Sequence, residues 1–182
     1  MCARNTDTAN LETKGYCWYK ATNGIKRHLL VDVLGNVYFV HCTPANISDD
    51  DGLLAILKQN QEYFLQLPPK QGLPKQGLTI LLDNGYHKDY LEQQIKQIEP
   101  RLLERITIEL AAKPTPPQKA ASKQENPAKQ GFVEIKGRWI VERTNAWINQ
   151  CRVLWKNCEG LLRTSEAKIR ICAIRLILRR LA

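Results

Sequence analysis

Two β-branched and aromatic stretches give the clearest early pattern. Residues 25–33 (Ile-Lys-Arg-His-Leu-Leu-Val-Asp-Val) and 37–43 (Val-Tyr-Phe-Val-His-Cys-Thr) flank Leu34-Gly35-Asn36, a hairpin turn signal. Asp32 stands just before that turn, and Pro44 stops the second strand. Asn46 to Asp51 predicts a helix start, because Ser48, Asp49, Asp50 and Asp51 offer oxygens to free backbone N–H groups. Leu53, Leu54, Ile56, Leu57 and Phe64 form its buried side, and capping outweighs metal binding as the role of the three aspartates. Leu78 to Leu82 is a continuous apolar run ending at Asp83-Asn84-Gly85-Tyr86, the pattern of a central strand covered on both faces. Tyr90 to Ile98 has helical spacing (Leu91, Ile95, Ile98) and ends at Pro100. Residues 106–110 alternate as a further strand.

Residues 113–130 hold four prolines and read as an exposed loop. Two helices close the chain. In the first, Ile140, Thr144, Trp147, Cys151, Leu154 and Cys158 fall within roughly 40° of one line at ~100° per residue. Glu142 lies on the opposite face with Arg138, Asn145, Asn149 and Lys156. The second, from about Ser165 to Leu181, has a broad apolar side bearing a basic stripe of Lys168, Arg175 and Arg179. Strands followed by helices, with a hairpin first, predict a mixed α/β domain with a covered sheet.

The 182 residues suit one domain. With 43% apolar and 25% charged residues, the composition is globular and excludes a mostly disordered chain. No apolar run reaches the ~18–20 residues of a membrane span, and the first residues lack the apolar core of a secretion signal. Charge is uneven. Residues 138–182 carry ten Lys/Arg against three Asp/Glu, net +7, while the preceding 137 residues hold 17 against 15, net +2. A basic C-terminal quarter suits either a polyanion partner or a merely solvated basic helix. The six cysteines form no Cys-x-x-Cys pair, so reduced thiols rather than zinc are expected.

Two acids stand out by position. Asp83 ends an apolar strand, at the strand carboxyl end where α/β sheets place ligands, and Glu142 lies on the polar face of a helix. If the fold joins them, two carboxylates can hold Mg²⁺, a hard cation that prefers oxygen, and such ions activate a water or 3′-hydroxyl at a phosphodiester. The plain alternatives are a turn residue for Asp83 and an i−4 helix pair with Arg138 for Glu142. His28, His41 and His87 have no fixed spacing to an acid or thiol and read as core or surface histidines.

Five blocks carry a family resemblance: Lys26-Arg27-His28-Leu29-Leu30-Val31-Asp32-Val33-Leu34-Gly35, Pro44-Ala45-Asn46-Ile47-Ser48-Asp49, Leu82-Asp83-Asn84-Gly85-Tyr86, Trp139-Ile140-Val141-Glu142-Arg143-Thr144-Asn145-Ala146-Trp147, and Ile174 to Ala182. In this order they resemble the catalytic half of bacterial insertion-sequence DDE transposases, the insertion sequence five family in particular. The resemblance implies a ribonuclease-H-like mixed sheet with flanking helices. Asp83 is then the second catalytic acid, Glu142 the third, and both are ligands of Mg²⁺ (or Mn²⁺). Asp32 matches the family's hairpin position rather than an acid of the triad. Arg138 matches the arginine one turn before the glutamate. The family's tyrosine before that arginine and lysine after the glutamate are replaced by Ile135 and Asn149, with Arg152 or Lys156 as substitutes out of register.

On this alignment the first acid and its central strand fall ahead of Met1. The expectation is therefore a partial catalytic domain over 1–182, inactive alone, and either the second half of a product joined to an upstream frame or the remnant of a decayed copy. Double-stranded DNA is the implied partner, contacted by Lys26, Arg27, Arg138, Arg143, Arg152 and Lys156, with self-association or an upstream-frame transposase half as protein partners. The resemblance places the protein in the bacterial cytoplasm at the nucleoid, with no membrane. The competing reading is a non-catalytic DNA-binding or inhibitory remnant, and a third is a decayed reading frame without a stable fold.

Overall fold

A computed structural model describes residues 2–4, 15–70, 77–111 and 138–181. The expected loop at 113–130 lies outside these residues. The chain divides into two compact units, Met1–Gln66 with Ile140–Ala182, and Leu67–Trp139.

The first unit is built around one strand. β3 (Thr22–Val31) pairs antiparallel with β1 (Cys2–Arg4), β2 (Gly15–Cys17) and β4 (Val37–Pro44). Its hairpin with β4 is the one the sequence predicts, with a register irregularity at Leu30 and Val31 just before the turn. β1 adds a short ladder of three residues to β3, from Cys2 with Lys26 to Arg4 with Gly24. After β4 come α1 (Asp49–Gln59) and α2 (Gln61–Gln66). Ser48 caps α1 as expected, its side chain accepting from the Asp51 N–H at 3.0 Å. Leu53, Ile56, Leu57 and Phe64 are buried.

Two later helices close this unit. α4 (Arg138–Asn149) stops nine residues short of the expected Cys158, and a single 3-10 turn, Arg152–Leu154, follows. The apolar spacing persists past Asn149 because Cys151 and Leu154 still face the same core, although the backbone is no longer α-helical. α5 (Leu162–Leu181) packs on β4. Ile25, Val40, Cys42, Ile148, Cys151, Leu154, Ile169 and Cys172 form the shared core. The broad apolar side expected of α5 proves to be two faces. Ile169, Cys172 and Ala173 are buried, whereas Ile171, Ile174 and Leu178 are more than half exposed on the opposite side. No helix among the described residues is long and apolar enough to cross a membrane.

In the second unit, β5 (Leu78–Leu82) and β6 (Ile106–Leu110) pair in parallel, in step from Leu78 with Ile106 to Leu82 with Leu110. α3 (Lys88–Ile98) and a 3-10 turn, Pro100–Glu104, connect them. Ile80, Leu82, Leu91, Ile95, Leu102, Ile106 and Ile108 are buried. The coverage of β5 differs from expectation. Its strand period turns Ile80 and Leu82 inward but leaves Leu81 46% exposed, and among the described residues β5 pairs with β6 alone. The mixed α/β character stands, but the described strands form an antiparallel sheet of four and a parallel pair rather than one mixed sheet.

Buried polar groups tie the first unit together. His28 Nε2 lies 2.8 Å from Thr43 Oγ1, and its ring fills the space in front of Gly52, where an added Cβ would meet Nδ1 at 2.1 Å. Glu166 of α5 reaches β4, accepting from the Cys42 N–H at 2.8 Å and lying 2.9 Å from His41 Nδ1. Burial alone would raise the Glu166 pKa, but the bonds from His41 and Cys42 hold it below the ordinary carboxylate value. Burial, the largest influence on His28, pushes its pKa down from 6.5 to about 4.

An imidazole kept neutral in the folded state is protonated first in the unfolded chain. His28 therefore costs stability as pH falls from 6.5 toward 4, on the order of 3 kcal/mol in total, and contributes no slope above that window. Urea unfolding at pH 7.5 and 4.5 should show this loss, and His28→Gln should remove most of it; an unchanged slope in that variant would show that His28 is not its source.

Candidate active site

Asp83 follows directly on β5, at the carboxyl end of the parallel pair. Its side-chain Oδ1 accepts the N–H of Asn84 at 2.8 Å and its carbonyl accepts that of Tyr86 at 3.1 Å, so the backbone turns sharply while the side chain stays exposed. The strand is pinned just behind it, where Leu82 O accepts the Ala111 N–H at 2.7 Å. Asp83 is thus a turn residue whose carboxylate is exposed at a strand end.

Glu142 lies on the exposed face of α4, in the other unit. The orientation of that helix is set by what its neighbours do. Thr144 is buried and its hydroxyl donates to Gly35 O at 2.9 Å, while Arg143 Nη2 donates to Leu34 O at 2.9 Å. The Trp147 ring lies between two guanidiniums, Arg143 at 4.6 Å and Arg180 of α5 at 4.3 Å, and Arg180 also donates to Asn36 Oδ1 at 2.7 Å. With Thr144 and Ile148 facing inward, Glu142 falls on the outer side.

The turn these helices hold is itself ordered by Asp32. Its carboxylate accepts the N–H groups of Leu34 at 2.9 Å and Asn36 at 2.8 Å and the Asn36 side-chain amide at 2.8 Å. Slight burial would raise the Asp32 pKa, but the bonds from Asn36, Leu34 and Gly35 bring it below the ordinary value. Asp32 acts within the turn, as the hairpin alignment implies. Gly35 has φ 84°, and a Cβ there would lie 2.7 Å from Thr144 Oγ1.

The basic residues divide. Arg152 and Lys156 are exposed. Arg143 is partly used on the turn, and Lys26 pairs with Asp49 at 3.4 Å with its side chain 15% exposed. Arg27 departs furthest from expectation: it is 3% exposed, and its Nη2 donates to Leu154 O at 2.7 Å. A guanidinium buried in that way cannot reach a DNA phosphate, and its charge is spent inside the unit. Arg138 opens α4, and its side chain, like Ile135, lies outside the described residues. Sequence reading set Thr144 and Trp147 on the inner line of their helix but did not join them to Arg180, because their joint role needs the hairpin turn and two distant helices side by side. The one available signal was Gly35, placed for a positive φ.

Carboxylate oxygens suit a hard divalent cation. DDE transposase domains in general use such metals. Among the described residues, however, no group of three or more His, Cys, Asp or Glu side chains is placed to hold one.

Comparison with known proteins agrees with the sequence resemblance. The family model described as Transposase DDE domain matches residues 5–177. A Burkholderia cepacia protein named "Putative transposase for insertion sequence element IS402" is 26% identical over 141 residues, which cover 74% of this chain and 54% of that protein. The chain thus spans about half the length of that relative. No solved structure matches.

The clamp on the turn should be measurable. Thr144→Val leaves the Gly35 carbonyl without its hydroxyl partner and should cost about 1–2 kcal/mol. Gly35→Ala adds backbone strain and a clash with Thr144 and should cost more, about 2–3 kcal/mol. Chemical denaturation of both variants reads the order, and a Gly35→Ala protein as stable as the parent would refute the clamp.

Proposed function

The chain belongs to the transposase DDE domain family, and from that premise we propose that it serves DNA transposition, with Asp83 and Glu142 as two of the metal-holding carboxylates of a strand-transfer enzyme. The observation that carries the reading is the family match over 5–177, together with exposed carboxylates at both aligned positions. Mg²⁺ or Mn²⁺ held by such oxygens would activate the attacking hydroxyl and steady the leaving oxygen of a phosphodiester. Two carboxylates are a poor complete site, since each missing one removes a ligand and a charge. A third acid is needed to complete such a set. The phosphate-facing groups are the exposed Arg152 and Lys156, with Arg138, Arg143 and Lys26 as further candidates. Such contacts position DNA without reading its sequence.

A second reading has its own support. The exposed cations of residues 138–182 need no metal to bind DNA, so a non-catalytic DNA-binding or inhibitory role fits the same surface. Self-association, or pairing with the other half of a transposase, is compatible with either.

Asp83→Asn and Glu142→Gln, placed in an active transposase that contains this domain, should each reduce strand transfer by at least ~100-fold with the circular dichroism spectrum unchanged, because each removes a metal ligand's charge. Transposition that survives both substitutions would sink the catalytic assignment and leave the binding role. The purified 182-residue chain with Mg²⁺ should show no strand transfer, and activity there would overturn the claim that a further acid is required.

A further inference from the structure

α5 carries two separate apolar lines, and the core takes only one of them. Ile169, Cys172 and Ala173 are buried. On the far side Ile171 is 65%, Ile174 56%, Leu178 59% and Leu181 79% exposed. Their spacing alternates three and four residues, and it runs back through exposed Ala167 and half-buried Thr164. That is a 3.5-residue repeat, the seam by which one helix receives another. Contiguous apolar patches of this kind are uncommon on a monomer's surface and mark contacts.

The helix cannot roll to hide the seam. Ser165 Oγ donates to Asn157 Oδ1 at 2.7 Å, Glu166 accepts the Cys42 N–H at 2.8 Å, and Arg180 donates to Asn36 Oδ1 at 2.7 Å, so α5 is held near both ends. A face fixed in this way is already organised for a partner. Glu166 is also the sole acid of α5, and it is turned inward.

The residues flanking the seam select its occupant. In the same repeat the flanking positions hold Arg163, Lys168, Arg170 and Arg175. Lys168 is paired with Glu159, and Arg170 with Glu166 at 3.6 Å. Arg163 and Arg175 are exposed and have no recorded ion pair among the described residues. A second copy of α5 would set cation against cation in either orientation, which opposes pairing. Duplex DNA would answer the cations but leave four aliphatic side chains in water. An anionic lipid surface takes helices with a wide apolar face, whereas this seam is narrow and lies between cations. A helix with apolar core positions and carboxylates at its flanks answers both features.

We propose that the outer face of α5 is a docking seam for an acidic amphipathic helix of another protein. The partner's aliphatic side chains pack among Ile171, Ile174, Leu178 and Leu181, and its carboxylates meet Arg163 and Arg175. The proposal stands apart from the transposition reading, since it uses neither Asp83 nor Glu142.

The test uses the whole chain and two synthetic heptad-repeat peptides with the same Ile and Leu core, one with Glu and one with Lys at every flanking position. The Glu peptide should bind at least ~10-fold more tightly at low salt, by fluorescence anisotropy, and the gap should close as salt rises. Ile171→Ala combined with Leu178→Ala should weaken the Glu peptide by about 100-fold, with the circular dichroism spectrum unchanged because both side chains are exposed. Arg163→Glu combined with Arg175→Glu should reverse the order of the two peptides, which a merely structural role for these arginines would not do. No binding of the Glu peptide, or equal binding of both, would overturn the proposal. So would a dimer, or binding to phosphatidylglycerol vesicles or duplex DNA in place of the Glu peptide, that is lost in the double alanine variant, since each would give the seam a different occupant.

Discussion

The first unit depends on the tip of its β3–β4 hairpin. Leu34, Gly35 and Asn36 are bound by Arg143, Thr144 and Arg180, partners 109 to 144 residues further along the chain. Contacts at such separation must offset a large loop-closure entropy, so they form only if the turn is already ordered. Asp32 supplies that order through three bonds to Leu34 and Asn36, and Gly35 supplies the positive φ that brings its carbonyl up to Thr144. Once Thr144 is seated, the rotation of α4 is settled and Glu142 has to face outward. Asp32, bound within the turn, thereby governs the presentation of a residue that is proposed to do chemistry.

The same unit keeps an unusual number of ionisable groups inside. Arg27 and His28 are consecutive on β3, so they point to opposite faces of the sheet and need separate solutions. His28 is held neutral between Thr43 and Gly52, and Arg27 keeps its charge against a carbonyl. Glu166 joins α5 to the edge of β4 through a backbone N–H and His41. Each makes a hydrogen bond where it is buried, and together they tie α1, α5 and the turn after α4 to the central hairpin. The apolar core alone would leave the sliding of α5 along the sheet less constrained, since one of its apolar faces is largely exposed.

Local pattern carried much of this fold into the sequence. The runs at 78–82 and 106–110 match β5 and β6 to the residue, because short β-branched segments between turn residues have few alternatives. Ser48 announced the start of α1 for an equally local reason. What stayed illegible depended on distant partners. The end of α4 at Asn149 is hidden because Cys151 and Leu154 continue its periodicity through a 3-10 turn. The burial of Arg27 cannot be read without Leu154, 127 residues away. The two faces of α5 look like one broad face until one of them is packed. Asp83 and Glu142 were legible as positions, through their motif blocks, while their joint role was carried by resemblance and never by spacing.

Charge bookkeeping along the C-terminal quarter changes once structure is considered. The net +7 of residues 138–182 suggested a uniformly available basic surface. Arg143 and Arg180 are engaged with the hairpin turn and the Trp147 ring, Lys168 pairs with Glu159, and Arg170 pairs with Glu166 at 3.6 Å. Exposed Arg152 and Lys156 on the loop, and Arg163, Arg175 and Arg179 along α5, have no recorded ion pair among the described residues. A polyanion would therefore meet a smaller and more localised set of cations than composition implies, concentrated where the chain leaves α4 and along the outer side of α5. Because counterion release scales with the phosphates neutralised, such a set supports modest affinity from charge alone.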